Sequence, residues 1–454
     1  PYTTLFRSDH PDKLIAVACE SPVVIGIGEN QAFISSDPIA LASYTREVVF
    51  LSNFEIAVVQ VNQIEVYNGE NRLVTKKTET LSEERQNASK GAYDHFTLKE
   101  IFEQPQTIKN AFASRFILDY GTAYFEGLHA HMQDLQSIER ILILACGTSW
   151  HAGYIAAYMI EEYARIPVQV EISSEFRYKN PIIAKNTLVV AISQSGETAD
   201  TIAAVRELKA AKGVKIFSIC NVQGSTLARE SDFTIFLHAG PEIGVCSTKA
   251  FTSQLVVLVL FGLQLGRMGH LSREEGRVFL ECLKKIPDQV QSILEQSNEI
   301  ARIVKKYAKY DNFFYLGRQY MYPVSLEGAL KLKEISYINA VGYPAGEIKH
   351  GPIALINPCC PTVALCANQQ TFDKIKSNLM EIKARKGAII AIVEDNQRGI
   401  TSIVDDVIRI PETIDALAPI LATVVTQLIA YYIAIERGAE IDQPRNLAKS
   451  VTVE

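Results

Sequence analysis

The pattern that most restricts the fold begins at residue 141. From there, short and almost wholly apolar runs at 141–145, 188–192 and 216–219 alternate with helix-length stretches at 152–163 and 199–212. A strand that is apolar on both faces must be covered on both, and helices lying between such strands make the strands parallel. The same syntax returns as a strand at 313–316, a helix at 324–338, a strand at 362–365, a helix at 372–385 and a strand at 388–393. The segments LKAAKGVKIFSICN (208–221) and IKARKGAIIAIVED (382–395) share one plan: a helix end, a Lys-Gly stop and a buried strand. Two tandem α/β units, each a doubly wound parallel sheet, are expected.

What precedes them is different. Residues 14–19, 23–27, 32–35, 48–51, 56–61 and 64–67 are short β-type runs punctuated by Gly, Pro, Asn and Asp, with one helical stretch near 39–45. They predict an antiparallel β piece joined by tight turns. The polar stretch 71–90 predicts a solvated connector, and 97–117 predicts helix broken at Pro105. The expected divisions are 1–70, 71–125, 126–290 and 291–454, within the range of two to four domains that 454 residues allow.

Composition narrows the function classes. A formal net charge of −6 argues against a nucleic-acid surface while leaving room for a local anion pocket. None of the eight cysteines forms a CxxC pair or lies near a histidine at ligand spacing, so reduced thiols and no metal are expected. The apolar runs 255–266 and 421–435 fall short of the roughly 20 residues of a membrane span and predict core helices. With no signal-peptide pattern, a soluble cytoplasmic enzyme without membrane partners is expected.

The segment Ser193-Gln194-Ser195-Gly196-Glu197-Thr198 ends a buried strand and opens a helix, where open α/β sheets bind ligands. Small hydroxyl residues and backbone N–H groups at a helix start suit a phosphate; a simple helix cap uses the same residue types. The density of hydroxyls favours phosphate. Without a lysine the loop is not one for a nucleoside triphosphate. Cys146-Gly147-Thr148-Ser149 occupies the equivalent place after the first strand and adds hydroxyls. The second unit reads Cys366-Ala367-Asn368-Gln369-Gln370 there, so one phosphate site per chain is expected, in the first unit. The second unit supplies ionisable groups instead. Glu327, Lys331 and Glu334 share a helix face, a spacing that on a generic helix marks a surface salt-bridge ladder. His350 lies on a loop between Gly346 and Gly351, as a proton shuttle can. Lys449 sits in a terminal tail, where a lysine is by default solvated.

Together ACGTS (145–149), SEFRY (174–178), SQSGETADT (193–201), EIGVCSTKAFT (242–252), LEGALKLKEISYI (326–338), GEIKHGP (346–352) and DQPRNLAKSVTVE (442–454) resemble the glutamine–fructose-6-phosphate aminotransferase family. SQSGET alone is similar only to sugar-isomerase (SIS) domains in general; the later stretches carry the specificity, and the resemblance runs from about residue 8 to 454. It implies two SIS domains, conversion of fructose 6-phosphate to glucosamine 6-phosphate with ammonia from glutamine, and no cofactor. It implies that Ser149, Ser193, Gln194, Ser195 and Thr198 bind the phosphate, and that Val245, Ser247 and Ala448 contact the sugar. It further implies that Lys449 forms a Schiff base with the ketose, that Glu334 moves the proton between C1 and C2 with Lys331 beside it, and that His350 assists ring opening from a neighbouring subunit of a homodimer. The family's glutaminase nucleophile is an N-terminal cysteine; residue 1 here is proline, so residues 9–68 are expected to be a poorly packed remnant of that domain. Pro1–Ser8 match nothing in the family and are expected to be foreign to a native sequence truncated at its start. The competing expectations are a non-catalytic sugar-phosphate-binding regulator and a stand-alone deaminase or isomerase.

Overall fold

The computed structural model describes residues 4–6, 10–19, 23–36, 38–41, 44–61, 63–80, 89–210 and 214–452. The Lys212-Gly213 stop, most of Pro1–Ser8, and residues 81–88 and 453–454 lie outside them.

Both predicted sheets are present. The first contains β1 (Arg140–Ala145), β2 (Val168–Ile172), β3 (Thr187–Ser193), β4 (Lys215–Cys220) and β5 (Phe233–Phe236), all parallel, in the order β2-β1-β3-β4-β5. The second repeats that order with β6 (Asn312–Gly317), β7 (Asn339–Pro344), β8 (Thr362–Leu365), β9 (Ile389–Glu394) and β10 (Asp406–Ile410), as β7-β6-β8-β9-β10. Every residue of β3 is buried, as double coverage requires. In each sheet the order of strand addition reverses between the first strand and the third, and the crevice beyond their carboxyl ends is where such sheets bind ligands. In the first unit that crevice lies between β1 and β3.

The helices α1 (Phe96–Phe102) and α2 (Gln104–Phe112) lie ahead of the first sheet. Pro105 falls in the first turn of α2, where its missing N–H has no helical partner to lose. The layers of the first unit include α3 (Gly147–Tyr163), α4 (Ala199–Ala210) and α5 (Lys249–Gly269). Those of the second include α6 (Met321–Ser336), α7 (Phe372–Lys383) and α8 (Ala418–Glu436). α5 and α8 are long and apolar enough to cross a membrane by length and composition, α5 being longer than the sequence suggests, yet nearly all their residues are buried within the protein. They are core helices: α3 packs on α5, and α6 packs on α8. α3 and α6 also pack on each other, joining the two units. α3 starts five residues earlier than its apolar periodicity indicates, so Thr148 and Ser149 stand in its first turn rather than in a loop.

The strand-rich N-terminal region forms two antiparallel sheets. Ala16, Ala57, Val59 and Val66 of one meet Val23, Ile25, Val49 and Leu51 of the other in a shared core, each no more than 5% exposed. The expectation of poor packing is thereby corrected: alternating inward residues are numerous enough to close a small sandwich. The connector reading of 71–90 is corrected in part, since Leu73–Val74 and Glu79–Thr80 add an edge strand to each sheet.

Candidate active site

The carboxyl end of β3 turns sharply at Gly196 (φ +68°) and brings its hydroxyls together. Ser193 Oγ lies 2.8 Å from Thr198 Oγ1 and accepts from the Gly196 N–H at 3.0 Å; Ser195 Oγ accepts from the Glu197 N–H at 3.1 Å. The loop is braced behind by Glu197, whose Oε1 accepts from the Thr226 N–H at 2.8 Å. A Cβ on Gly196 would lie 2.1 Å from Ser225 Oγ. Gly196→Ala is therefore expected to destabilise this unit by about 1–3 kcal/mol from backbone strain alone, read as a lower melting temperature; an unchanged melting curve would contradict the tightness of this turn. Gln194 is half-buried in the loop. Ser149 is buried at the start of α3, at the end of the neighbouring strand, and accepts from Gln254 Nε2 of α5 at 2.9 Å.

The tail crosses this crevice. The Ala199 N–H, at the start of α4 just after the serine loop, donates to the carbonyl of Val451 at 3.1 Å. Lys449, far from being solvated, is half-buried and donates to Glu242 Oε2 at 2.5 Å and to the Gly244 carbonyl at 2.7 Å. Glu242 is wholly buried and also accepts from the N–H groups of Thr248 and Ala250. Burial opposes its ionisation, but the Lys449 ammonium and these two N–H groups hold its carboxyl below the usual range.

The three charges on α6 are not a surface ladder. Glu327 and Lys331 are 0% and 1% exposed, and Lys331 Nζ lies 3.3 Å from Glu327 Oε1 and 2.7 Å from Glu334 Oε2. The facing helix completes the network. His151 Nδ1 is 2.6 Å from Glu327 Oε2, Thr148 Oγ1 donates to Glu327 Oε1 at 3.1 Å, and Lys331 Nζ donates to Thr148 Oγ1 at 3.0 Å. Burial works against charge on Glu327, yet Lys331 and His151 hold its carboxyl below the ordinary value. Burial likewise opposes the Lys331 ammonium, while Cys246, Glu327 and Glu334 restore it, raising it well above an ordinary lysine. Cys246 lies against this cluster, and burial pushes its thiol up, with Glu334 adding to the effect.

The loop 241–248 is thus the hinge of the arrangement. Its Glu242 and Gly244 hold Lys449, its Cys246 touches Glu334, and half-buried Val245 and Ser247 lie between. Lys449, Lys331, Glu334, Val245 and Ser247 are brought together around it; exposed Ala448 adjoins through the tail. His350 is not among them: it sits exposed at the end of the 3-10 turn Glu347–His350, with no hydrogen bond to any of these residues. Among the described residues no group of three His, Cys, Asp or Glu side chains is placed to hold a metal ion.

Sequence reasoning missed Glu242, His151 and Glu100, and it read Thr148 as a further hydroxyl for the anion where the structure bonds it to Glu327 and Lys331. Glu242 was legible as a lone acid in an otherwise apolar and glycine-rich stretch, and Thr148 with His151 as an i,i+3 pair beside Ser149.

Two α/β units in one order, with a hydroxyl-rich turn at the switch point of the first, define a tandem SIS-domain protein; the SIS domain model matches residues 134–263 and 306–437. The glutamine–fructose-6-phosphate aminotransferase [isomerizing] of Chlorobaculum tepidum is 47% identical over 447 residues, covering 98% of this chain and 73% of the relative. The enzyme of the same name from Bacteroides thetaiotaomicron is 46% identical over 99% of this chain and 74% of its own length. The C-terminal domain of glucosamine-fructose-6-phosphate aminotransferase from Francisella tularensis superimposes with a TM-score of 0.74 at 40% identity, covering 79% of this chain and all of that one. The chain belongs to the glutamine–fructose-6-phosphate aminotransferase (isomerizing) family.

Proposed function

We propose that this chain carries the sugar-phosphate half of that family's reaction, converting fructose 6-phosphate to an aldose phosphate and, with ammonia from glutamine, to glucosamine 6-phosphate. The observation that carries the reading is the tail bonded through the Val451 carbonyl to the start of α4, where the hydroxyl-rich turn ends, with Lys449 two residues before it paired to the buried Glu242. In this reading the phosphate enters the turn and takes donors from Ser193, Gln194, Ser195, Thr198 and Ser149, aided by the amino end of α4. Lys449 condenses with the ketose carbonyl. Ammonia then adds to the iminium carbon and displaces the Lys449 amine, leaving an imine at C2 that acidifies the adjacent C–H bond, and Glu334, steadied by Lys331, takes the proton from C1 and returns it to C2. Val245, Ser247 and Ala448 line the sugar. We further propose a cytoplasmic homodimer in which His350 of the partner subunit assists ring opening, since exposed His350 lies apart from the site of its own chain.

The regulator reading requires only the serine turn and leaves a buried Glu327–Lys331–Glu334 network and an interior lysine pair without purpose. The test is to supply fructose 6-phosphate and follow glucose 6-phosphate, then add ammonium or glutamine and follow glucosamine 6-phosphate. Isomerisation by the chain is expected, with amination supported by ammonium. Tight binding with no turnover under any of these conditions would favour the regulator.

A further inference from the structure

Behind Lys449 lies a second buried carboxyl that the mechanism above does not use. Glu100, on α1, is 2% exposed. Its Oε1 accepts from the N–H groups of Ile243 at 2.5 Å and Gly244 at 3.1 Å, whereas its Oε2 is buried with no hydrogen-bond partner among the described residues. The loop is pressed against it: a Cβ on Gly244 would lie 2.7 Å from Thr97 Oγ1 and 3.1 Å from Glu100 Oε2. Gly244 therefore connects two functional groups, its N–H bound to Glu100 and its carbonyl bound to Lys449.

Counting charge assigns the protons. Two carboxyls, Glu100 and Glu242, share one cation, Lys449, in a site shielded from water. Glu242 holds the ammonium directly and takes two further N–H bonds, so it is the ionised member. An ionised Glu100 would leave one buried charged oxygen with no donor, which is costly. Burial and the neighbouring Glu242 raise the Glu100 carboxyl to about 8, against the pull of Lys449 and the two N–H groups. The other charges packed around α1 are already engaged: Asp442 accepts from the N–H groups of Phe96 and Thr97 and pairs with Lys90, and Lys249 pairs with Glu103.

We propose that Glu100 is a positioning residue that carries a proton in the working enzyme and, through Gly244 and Glu242, keeps Lys449 able to give up its own. The inference rests on the Schiff-base role of Lys449. To attack, the Lys449 ammonium passes a proton to the Glu242 carboxylate. The free amine then bonds to the ketose carbonyl carbon. The carbonyl oxygen leaves as water with one proton from the amine and one from Glu242, and the iminium left behind pairs with the regenerated Glu242 carboxylate. A neutral Glu100 leaves Glu242 basic enough to take that proton without adding a second negative charge. Once Glu100 ionises, two carboxylates hold the ammonium, and attack is suppressed.

The test compares kcat/KM against pH for the wild-type chain and Glu100→Gln, whose amide oxygen can still accept from Ile243 and Gly244. Wild-type kcat/KM is expected to fall as pH rises through about 8, and E100Q to move that fall upward by at least about one pH unit. Superimposable profiles overturn the proposal. So does a folded E100Q that loses turnover at neutral pH, because the site would then need the ionised carboxylate. A measurement on wild type alone guards against a variant that does not fold: borohydride trapping of the Lys449–sugar adduct should diminish through the same pH range, and trapping constant to about pH 9 overturns the proposal. Absence of any trapped adduct at neutral pH would instead strike at the Schiff-base reading itself.

Discussion

Lys449→Ala is expected to lower kcat for fructose 6-phosphate isomerisation by at least about a thousandfold, as loss of a covalent catalytic group does, with sugar-phosphate affinity held within a fewfold. The split follows from geometry. The groups proposed to hold the phosphate belong to β3, α4 and α3, and they are fixed by bonds within the first unit: Ser193 to Thr198 and Gly196, Ser195 to Glu197, Ser149 to Gln254. None of these bonds passes through Lys449, whose partners are Glu242 and the Gly244 carbonyl. Removing the amine strands the wholly buried Glu242 carboxylate with backbone donors alone, so its carboxyl should rise toward protonation, and the loop should pay little beyond that. Lys449→Arg separates charge from chemistry. Arginine keeps the cation against Glu242 but stays protonated and cannot form an imine, so it should match alanine in turnover while melting closer to wild type. Steady-state kinetics with calorimetric titration of fructose 6-phosphate checks both; K449A turning over within tenfold of wild type would remove Lys449 from the mechanism.

The parts of this protein legible from its sequence are those where one signal dominates. The strands β1, β3, β4, β6, β8 and β9 stand out because both their faces are covered and their middles are nearly all apolar, with most polar residues, such as Arg140, Thr187, Asn312 and Glu394, confined to their ends. The edge strands β2, β5, β7 and β10 were not anticipated, since one side of each is open and residues such as Gln169, Glu171, Thr234 and Arg409 interrupt the pattern. The hydroxyl-rich turn was legible as a strand-to-helix junction dense in glycine and hydroxyls, a pattern that suits a phosphate and that a helix cap shares. The α6 charges were visible but misplaced: helical spacing puts Glu327, Lys331 and Glu334 on one face without saying what covers it. Burial is decided by α3 of the other unit, a contact no local pattern encodes. Glu100 shows a signal that was present and unread. Thr97, Glu100, Gln104 and Thr107 are polar at the spacing of the buried face of α1 and α2, and a polar side chain where periodicity calls for an apolar one must find a partner.

The largest structural effect is expected from Lys331→Met, which should destabilise the chain by about 3–5 kcal/mol, the cost of removing one partner of a buried ion pair. Among the described residues Lys331 is the one cation in direct contact with both Glu327 and Glu334, and it also donates to Thr148 across the junction of the two units. Without it, Glu327 keeps His151 and Thr148, but an anion more than 99% buried is left with half its compensation. Glu334, 21% exposed, can turn toward water; Glu327 cannot. The loss should therefore be recovered mainly by neutralising Glu327. The double variant E327Q/K331M is expected to be more stable than K331M, and E334Q/K331M to gain little; a double-mutant cycle in urea, followed by a probe on each unit, measures the difference. The pH dependence has a definite sign. Because the folded state holds the Glu327 carboxyl below its unfolded value, its contribution is present above the ordinary carboxylate range and is lost as pH falls through the depressed value. Wild type should lose stability on acidification at this junction, whereas in K331M protonation of Glu327 relieves the stranded charge and the gap between the two proteins narrows. A gap that widens with acid would mean that His151, rather than Lys331, is the principal counter-charge holding the two units together.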